Sequence, residues 1–134
     1  MSKIEQISQR FEALERQFAN VASIHFDNFQ PLSFLKSIEI GETLKFDNGA
    51  ISTKIKDDGV KMTFKVFMPK GCGLPSHWHD CHEELQVLHG RIRDKVLKKT
   101  IKAGEKMIIK KNTFHQPINP STDEAVVLSV IFYE

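Results

Sequence analysis

Four of the six histidines of this chain lie within the fourteen residues HWHDCHEELQVLHG, from His77 to Gly90. The same stretch contains Cys81, one of the two cysteines, and two adjacent glutamates. Imidazole nitrogens, thiolates and carboxylates are the protein groups that bind transition metals. The composition of this segment therefore predicts a metal site.

The spacing of the candidate ligands favours one face of a strand. His77 and His79 are two residues apart, so in an extended strand their side chains point the same way. Glu83 has the same parity and could add an oxygen. Two imidazoles and a carboxylate suit a borderline divalent ion such as Fe, Mn, Ni or Zn. His115, in KKNTFHQPIN, follows a turn and is the best candidate for a fourth ligand from another strand.

The two histidine segments resemble the paired motifs of the cupin superfamily. The first family motif is a glycine, five residues, His-x-His, three or four residues, Glu, six residues and a glycine. This spacing is matched by Gly71, His77, His79, Glu83 and Gly90. The motif is specific because the ligand types and both glycines fit together.

The second family motif is a glycine, five residues, Pro-x-Gly, two residues, His, three residues and Asn. Gly104, His115 and Asn119 match it in register, while Lys110 replaces the proline and Asn112 replaces the second glycine. Asn112 is a mild departure, because Asn tolerates the left-handed backbone conformation that a glycine would serve. Lys110 removes no ligand.

The resemblance implies an all-β fold, a cupin-type β-barrel (jelly roll, or double-stranded β-helix). It also implies one divalent transition metal ion per chain, held by His77, His79, Glu83 and His115. Four protein ligands on an ion that accepts five or six leave positions for water or substrate. A Glu83 that is only weakly bound to the ion could also act in catalysis by transferring protons.

Cupins include dioxygenases, isomerases, decarboxylases and lyases, as well as binding and sensor proteins, so the fold alone does not give the function. The expected function is that of a metal-dependent enzyme, dioxygenase-like or isomerase/lyase-like, acting on a small organic molecule. The ion would act as a Lewis acid, or would bind dioxygen if it is iron. A non-catalytic metal-binding, ligand-binding or sensor protein is the alternative.

Other metal-capable side chains compete for the site. Glu84 is an alternative to Glu83 as a ligand, but in a strand its side chain would point to the opposite side from His77 and His79. The same holds for His82. Cys81 shares the parity of the ligands, although a buried thiol without a metal contact is the favoured interpretation. His25 could line the cavity, but a structural role is favoured. A closed zinc site is a further rival, made of His77, His79, Cys81 and His82.

The sequence pattern predicts one helix, over the first twenty-one residues. An apolar stripe recurs there at steps of three and four, at Ile4, Ile7, Phe11, Leu14, Phe18 and Val21. We expect this helix, residues 1–21, to pack on the barrel or at a dimer interface. The barrel itself is expected over residues 22–134.

The rest of the chain shows β patterns. In GVKMTFKVFMPKG, alternate residues from Val60 to Met68 are apolar, which predicts a half-buried strand. That face should line the cavity together with Leu85, Val87 and Met107. Asp47-Asn48-Gly49 predicts a hairpin turn, and further strands are expected in EELQVLHG, RIRDKVLKK, EKMIIKK and EAVVLSVIFYE. The last strand is apolar at both parities, which favours a second face covered by the N-terminal helix or by a partner subunit, and a homodimer is expected.

The composition of the chain indicates its number of domains, its partners and its location. The 134 residues fit one domain, and the net charge of +2 forces no nucleic-acid partner. Nine Lys or Arg between Arg91 and Lys111 indicate a solvated sheet face with edge-protecting lysines. No secretory leader or membrane-length apolar run is visible, and two cysteines are too few for a disulfide framework. A reduced, cytoplasmic protein without a membrane partner is expected.

Overall fold

The computed structural model describes residues 29–46 and 48–134. The expected helix of residues 1–21 and His25 lie outside the described residues. Within them there are one helix and nine strands, in the order α1 (Leu32–Ser37), β1 (Thr43–Lys45), β2 (Ile51–Asp57), β3 (Lys61–Met68), β4 (His82–His89), β5 (Arg91–Asp94), β6 (Lys99–Lys102), β7 (Lys106–Ile109), β8 (Pro117–Ile118) and β9 (Val126–Tyr133).

The strands form two antiparallel sheets. One has six strands in the order β1-β2-β3-β9-β4-β7, and the other has three in the order β6-β5-β8. The last strand of the chain, β9, lies between β3 and β4, and its side chains alternate between buried and half-buried. This alternation puts one face of the larger sheet in the core. The predicted all-β fold is confirmed.

Rows of paired residues cross the inner face of the larger sheet. One row is entirely apolar and consists of Phe64, Val130, Leu85 and Met107. The neighbouring row contains Met62, Phe132, Glu83 and Ile109. Along β3, β9, β4 and β7, Glu83 is the one charged member of these two rows, and burial of a charge is costly unless it is compensated. In β2, the buried Lys54 pairs with Phe64 of the first row.

The alternation predicted for Val60 to Met68 holds along β3 but fails at its start. Met62, Phe64, Val66 and Met68 are buried, whereas Val60 is 75% exposed. Val60 precedes β3, in the turn that Asp58 closes by accepting hydrogen bonds from the backbone N–H groups of Val60 and Lys61. The expectation that Val60 lines the cavity was therefore wrong, because the turn takes it out of register.

The helix α1 lies in a segment for which β structure was expected. It is only six residues long, too short for its periodicity to be recognised or for it to be stable alone. Its C-terminal end is held by the ammonium group of Lys54, which donates hydrogen bonds to the carbonyl oxygens of Leu35 (3.2 Å) and Ile38 (2.7 Å). Tertiary contacts therefore decide the conformation here.

Positive φ angles occur where the sequence motifs and the hairpin signal require them. Gly90 and Gly104 have φ of 82° and 91°, and Asn112, which replaces a family glycine, has φ of 64°. The hairpin between β1 and β2 turns at Asn48 and Gly49, with φ of 93° at the glycine. The Asn48 side chain accepts a hydrogen bond from the N–H of Ala50. The predicted hairpin is confirmed.

The basic segment from Arg91 to Lys111 runs through β5, β6 and β7. All nine of its Lys and Arg residues are exposed. Both β6 and β7 are edge strands in the sheet orders above. This distribution agrees with the expected edge protection by lysines. No helix in the described part of the chain is long and apolar enough to cross a membrane.

Candidate metal centre

Three buried histidines converge inside the fold. His77 and His79 lie in the extended segment before β4, and His115 lies just before β8. The N–H of His77 donates to the carbonyl oxygen of His115, and the N–H of His115 donates to that of His77, both at 2.9 Å. One ring nitrogen from each histidine lies within 4.8 Å of the other two. The predicted convergence of two separate segments is thus observed.

Each imidazole is oriented by a contact that its Nδ1 atom makes with the backbone. The three Nδ1 atoms lie 2.8, 2.9 and 3.5 Å from the backbone carbonyl oxygens of Pro75, Gln30 and Thr113, respectively. A carbonyl oxygen only accepts hydrogen bonds, so Nδ1 must carry the proton in each contact. In the neutral rings the lone pair is therefore on Nε2, as in histidines that ligate a metal.

Glu83 of β4 lies beside this group, which consists of the three histidines alone among the described residues. Its side chain is 3% exposed, and its two carboxylate oxygens lie 3.2 Å from Nε2 of His79 and 3.4 Å from Nε2 of His115. The 3.2 Å contact lacks hydrogen-bond geometry, which leaves the buried Nε2 of His79 without a partner among the described residues. A buried nitrogen without a partner beside a carboxylate fits a metal-binding site.

The electrostatics of the cluster also fit a cation. Burial, together with the neighbouring His115 and His79, lowers the pKa of His77 to about 3, so this ring is neutral and able to ligate. Burial would raise the pKa of the Glu83 carboxyl, but His115 and His79 outweigh burial and hold that pKa well below its usual range. The pKa of His115 is raised, because Glu83 outweighs the effect of burial. Glu83 is therefore an anion that needs a positive partner.

Glu84 and His82 point away from this cluster, as their parity predicts. Glu84 is half-buried and forms an ion pair with Lys106 at 3.3 Å. His82 accepts a hydrogen bond through Nδ1 from the N–H of Lys111, at 3.2 Å. Its ring packs against Tyr133, with the centroids 5.4 Å apart.

The two cysteines are free and buried. Burial raises the pKa of the Cys81 thiol to about 12, with Asp80 and Glu83 adding to the effect, and burial also raises the pKa of Cys72. Among the described residues, the cluster that could hold an ion contains neither thiol. The rival zinc site that uses Cys81 and His82 is therefore not assembled.

Two structural residues near the site were not singled out for their role from the sequence. Asp94 is fully buried and accepts hydrogen bonds from the N–H groups of Val96, Leu97 and Gln116, so it fixes the residue after His115. An Asp that ends a strand before a turn is the signal that could have indicated this role. Asn119, the last residue of the second motif, donates to the carbonyl oxygens of Met68, Pro69 and Glu124.

The wall beside the cluster is aromatic. The ring of Phe132 lies 4.9 Å from that of His79, and Phe64 packs edge-on against Phe132 at 5.6 Å. Both phenylalanines are buried. The site therefore combines one polar anchor with an apolar surround, the usual character of a small-molecule site.

Comparison with known families agrees with this arrangement. A family model described as Cupin domain matches residues 64–131, just over half of the chain, including both histidine segments. The chain belongs to the cupin family. No curated protein is similar enough to this cupin to count as a relative.

Solved structures show the same fold at low sequence identity. An RmlC-like cupin from Shewanella frigidimarina is 18% identical, with a TM-score of 0.62 over 69% of this chain and 83% of the other. The polyketide cyclase RemF from Streptomyces resistomycificus is 17% identical, with a TM-score of 0.56 over 71% and 68%. A chain of the complex of Rhodobacter sphaeroides SigE with the anti-sigma ChrR is 19% identical, with a TM-score of 0.59 over 75% of this chain and 50% of that chain.

Proposed function

We propose that this cupin binds one divalent transition metal ion per chain through His77, His79, His115 and Glu83. The observation that carries the proposal is the convergence of three buried rings whose Nδ1 atoms are tied to carbonyl oxygens. A buried carboxylate balances part of the ionic charge. Three imidazoles and one carboxylate suit Fe, Mn, Ni or Zn, and leave positions for water or substrate.

We propose further that the protein is a metal-dependent enzyme, dioxygenase-like or isomerase/lyase-like, that acts on a small organic molecule. A bound ion would supply Lewis-acid chemistry. The aromatic wall of Phe64 and Phe132 would exclude water and hold the apolar part of the substrate. Glu83, whose carboxylate oxygens lie 3.2 Å from Nε2 of His79 and 3.4 Å from Nε2 of His115, would transfer protons.

A non-catalytic metal-binding or sensor role is the second candidate, and one observation favours it. Apart from the histidines and the two cysteines, the buried ionisable side chains in the described ranges are Glu42, Lys54, Glu83 and Asp94. Glu42, Lys54 and Asp94 already make structural hydrogen bonds to backbone groups. If Glu83 is committed to the ion, no other buried carboxylate or lysine in this part of the chain is left for proton transfer.

Two measurements test the proposal. Elemental analysis of protein purified without added metal should find about one transition metal ion per chain. Oxygen uptake by the iron form, across a panel of thiols, catechols and diketones, then tests the dioxygenase-like reaction. Protein that stays metal-free when saturated with each of the four ions would refute metal binding. A bound ion with no turnover and no change of its spectrum with any compound would favour the sensor role.

The proposal includes a homodimer, with residues 1–21 as a helix on the barrel or at the interface and residues 22–134 as the barrel. A row of apolar side chains on the outer face of the larger sheet supports it: Ile51, Phe67 and Val127 are paired across three strands, and Phe67 is 41% exposed. Two free cysteines fit a reducing, cytoplasmic location. A monomer in sedimentation at micromolar concentration would contradict the dimer.

A further inference from the structure

Four residues that lead into α1 contact the segment that carries His77 and His79. We call these residues, Phe29–Leu32, the N-terminal strap; Leu32 is also the first residue of α1. The ring of Phe29 stacks on that of Trp78, with the centroids 4.2 Å apart and the planes 7° from parallel. The N–H of Gln30 donates to the carbonyl oxygen of Trp78 at 3.1 Å. The strap therefore lies alongside the metal-binding segment as a short parallel strand would.

Two more contacts extend this attachment, one to His79 and one to Asp80. The carbonyl oxygen of Gln30 lies 2.9 Å from Nδ1 of His79. The N–H of Leu32 donates to Oδ1 of Asp80 at 2.7 Å. Leu32 opens α1, and the preceding Pro31 offers no side-chain cap. Asp80 therefore satisfies the first N–H of the helix and fixes the position of the strap.

The three candidate ligands differ in what orients them. His77 and His115 contact the carbonyl oxygens of residues two positions earlier, Pro75 and Thr113, so their own loops hold them. The partner of His79 lies 49 residues away in the sequence. His79 thus depends on a contact that a local movement of the chain could break without unfolding the barrel.

We propose that the N-terminal strap is a positioning element for His79, so that its attachment sets the proton position of this ring and, with it, the affinity for metal. This inference rests on the proposed metal site. When the strap is in place, the carbonyl oxygen of Gln30 keeps the proton on Nδ1 and the lone pair on Nε2. When the strap lifts, His79 loses that constraint, and the fraction of rings ready to ligate falls.

The linkage works in both directions. If attachment of the strap raises metal affinity by some factor, bound metal must stabilise the attached strap by the same factor. Nε1 of Trp78, in the ring that stacks on Phe29, is buried without a hydrogen-bond partner in the described part of the chain. Any event that moves the residues preceding Phe29 would consequently change metal affinity.

Matched substitutions at Asp80 test the positioning role, because this carboxylate is exposed and its loss should not unfold the barrel. Asp80→Ala removes the hydrogen bond to Leu32 together with the charge. Asp80→Asn removes the charge but keeps an oxygen acceptor. Glu105→Ala is the control, since Glu105 is another exposed carboxylate that accepts one backbone N–H, that of Lys102 at 2.8 Å.

The first readout needs no metal. Two-bond proton–nitrogen correlation spectra of the metal-free protein report which ring nitrogen carries the proton in each histidine. We expect Asp80→Ala to shift His79 toward a mixture of tautomers while His77 and His115 stay unchanged, and Asp80→Asn and Glu105→Ala to match the wild type. Unchanged His79 in Asp80→Ala, or equal shifts in all three rings, would overturn the proposal.

The second readout is affinity for zinc(II), measured in competition with a chromophoric chelator. Asp80→Ala should bind about tenfold more weakly, the loss typical of removing an outer contact of a ligand. Asp80→Asn should keep wild-type affinity; an equal loss in both variants would assign the effect to charge and refute the strap. In the wild type, zinc should slow hydrogen exchange at the Gln30 and Leu32 amides about tenfold and change the fluorescence of Trp78, the single tryptophan. A tautomer shift without any zinc binding would refute the metal site alone.

Discussion

His77 and His115 face each other across a two-residue antiparallel bridge in which each backbone N–H donates to the carbonyl oxygen of the other residue. Their ring centroids are 4.1 Å apart. The bridge joins two segments that are distant in sequence, so the backbone itself sets the distance between these two candidate ligands. The candidate metal centre is therefore assembled only in the folded chain, and an ion that binds there should stabilise the fold.

Replacing His115 tests whether the bridge delivers a ligand. His115→Ala should lower the metal content of the purified protein to a small fraction of the wild-type value, because one of three converging nitrogens is lost. The matched control is His89→Ala, since His89 is exposed at the end of β4. Elemental analysis of the two variants, purified side by side, gives the answer. Equal metal content in both would show that His115 is not a ligand.

Adjacent glutamates allow a second comparison. Glu83→Gln removes the buried charge between His79 and His115, so metal affinity should fall at least tenfold. Glu84→Gln removes only a surface ion pair with Lys106 and should leave affinity unchanged. Competition with a chromophoric chelator measures both. A larger loss in Glu84→Gln would mean that the parity argument chose the wrong carboxylate.

The candidate site was predictable because its geometry follows from spacing. His77, His79 and Glu83 share one parity, and the structure places all three on the side predicted by that parity. His115 was chosen because it follows a turn and belongs to another strand, and its match to the second family motif agreed with that choice. The role of Gln30 was not predictable, because it acts through a backbone carbonyl that leaves no mark on residue type.

The fold was predictable where alternation is strong and not where tertiary contacts decide. The strand β3 follows the period-two pattern from Met62 onward. The helix α1 could not be predicted from the sequence, because six residues show too little periodicity. Its C-terminal carbonyl groups also depend on hydrogen bonds from Lys54, which is distant in sequence. A lysine that is 1% exposed also runs against the usual rule that lysine stays at the surface.

The motif glycines Gly90 and Gly104 should differ in their tolerance of a side chain. Both have positive φ, so alanine is strained at either position. At Gly104 a Cβ would meet no atom within 4 Å, whereas at Gly90 it would lie 2.9 Å from the carbonyl oxygen of Ala125. We expect Gly104→Ala to lower the free energy of unfolding by about 1 kcal/mol and Gly90→Ala by about 3 kcal/mol. Urea unfolding of the two variants checks the order, and an equal loss would contradict it.

The ion pair between Lys54 and Asp57 should make the free energy of unfolding depend on pH in the acid range. The hydrogen bond from Lys54, at 2.9 Å, and that from the N–H of Gly59 lower the pKa of Asp57 below its usual 3.8. A carboxyl group whose pKa is lowered on folding contributes stability that is present above pH 3.8 and is lost as pH falls through the folded pKa. Asp57→Asn should therefore be less stable than the wild type at pH 7, by about 1 kcal/mol.

The difference between Asp57→Asn and the wild type should shrink below about pH 4, where the wild-type carboxyl becomes protonated. Urea unfolding at several pH values from neutral to acid measures this convergence. A gap that stays constant down to the lowest pH would show that the side-chain shape, and not the charge of Asp57, stabilises the fold.

Cys81 should prove to be a buried thiol without a metal contact. Burial, with Asp80 and Glu83, raises its pKa to about 12, and among the described residues the group that could hold an ion does not include its sulfur. Cys81→Ser should keep the metal content and the visible spectrum of the cobalt(II) form, while losing about 1 to 2 kcal/mol of stability because a hydroxyl replaces a buried sulfur. Cys72→Ser is the control, since Cys72 is also buried and free. A sulfur-to-cobalt charge-transfer band that disappears in Cys81→Ser and persists in Cys72→Ser would make Cys81 a ligand.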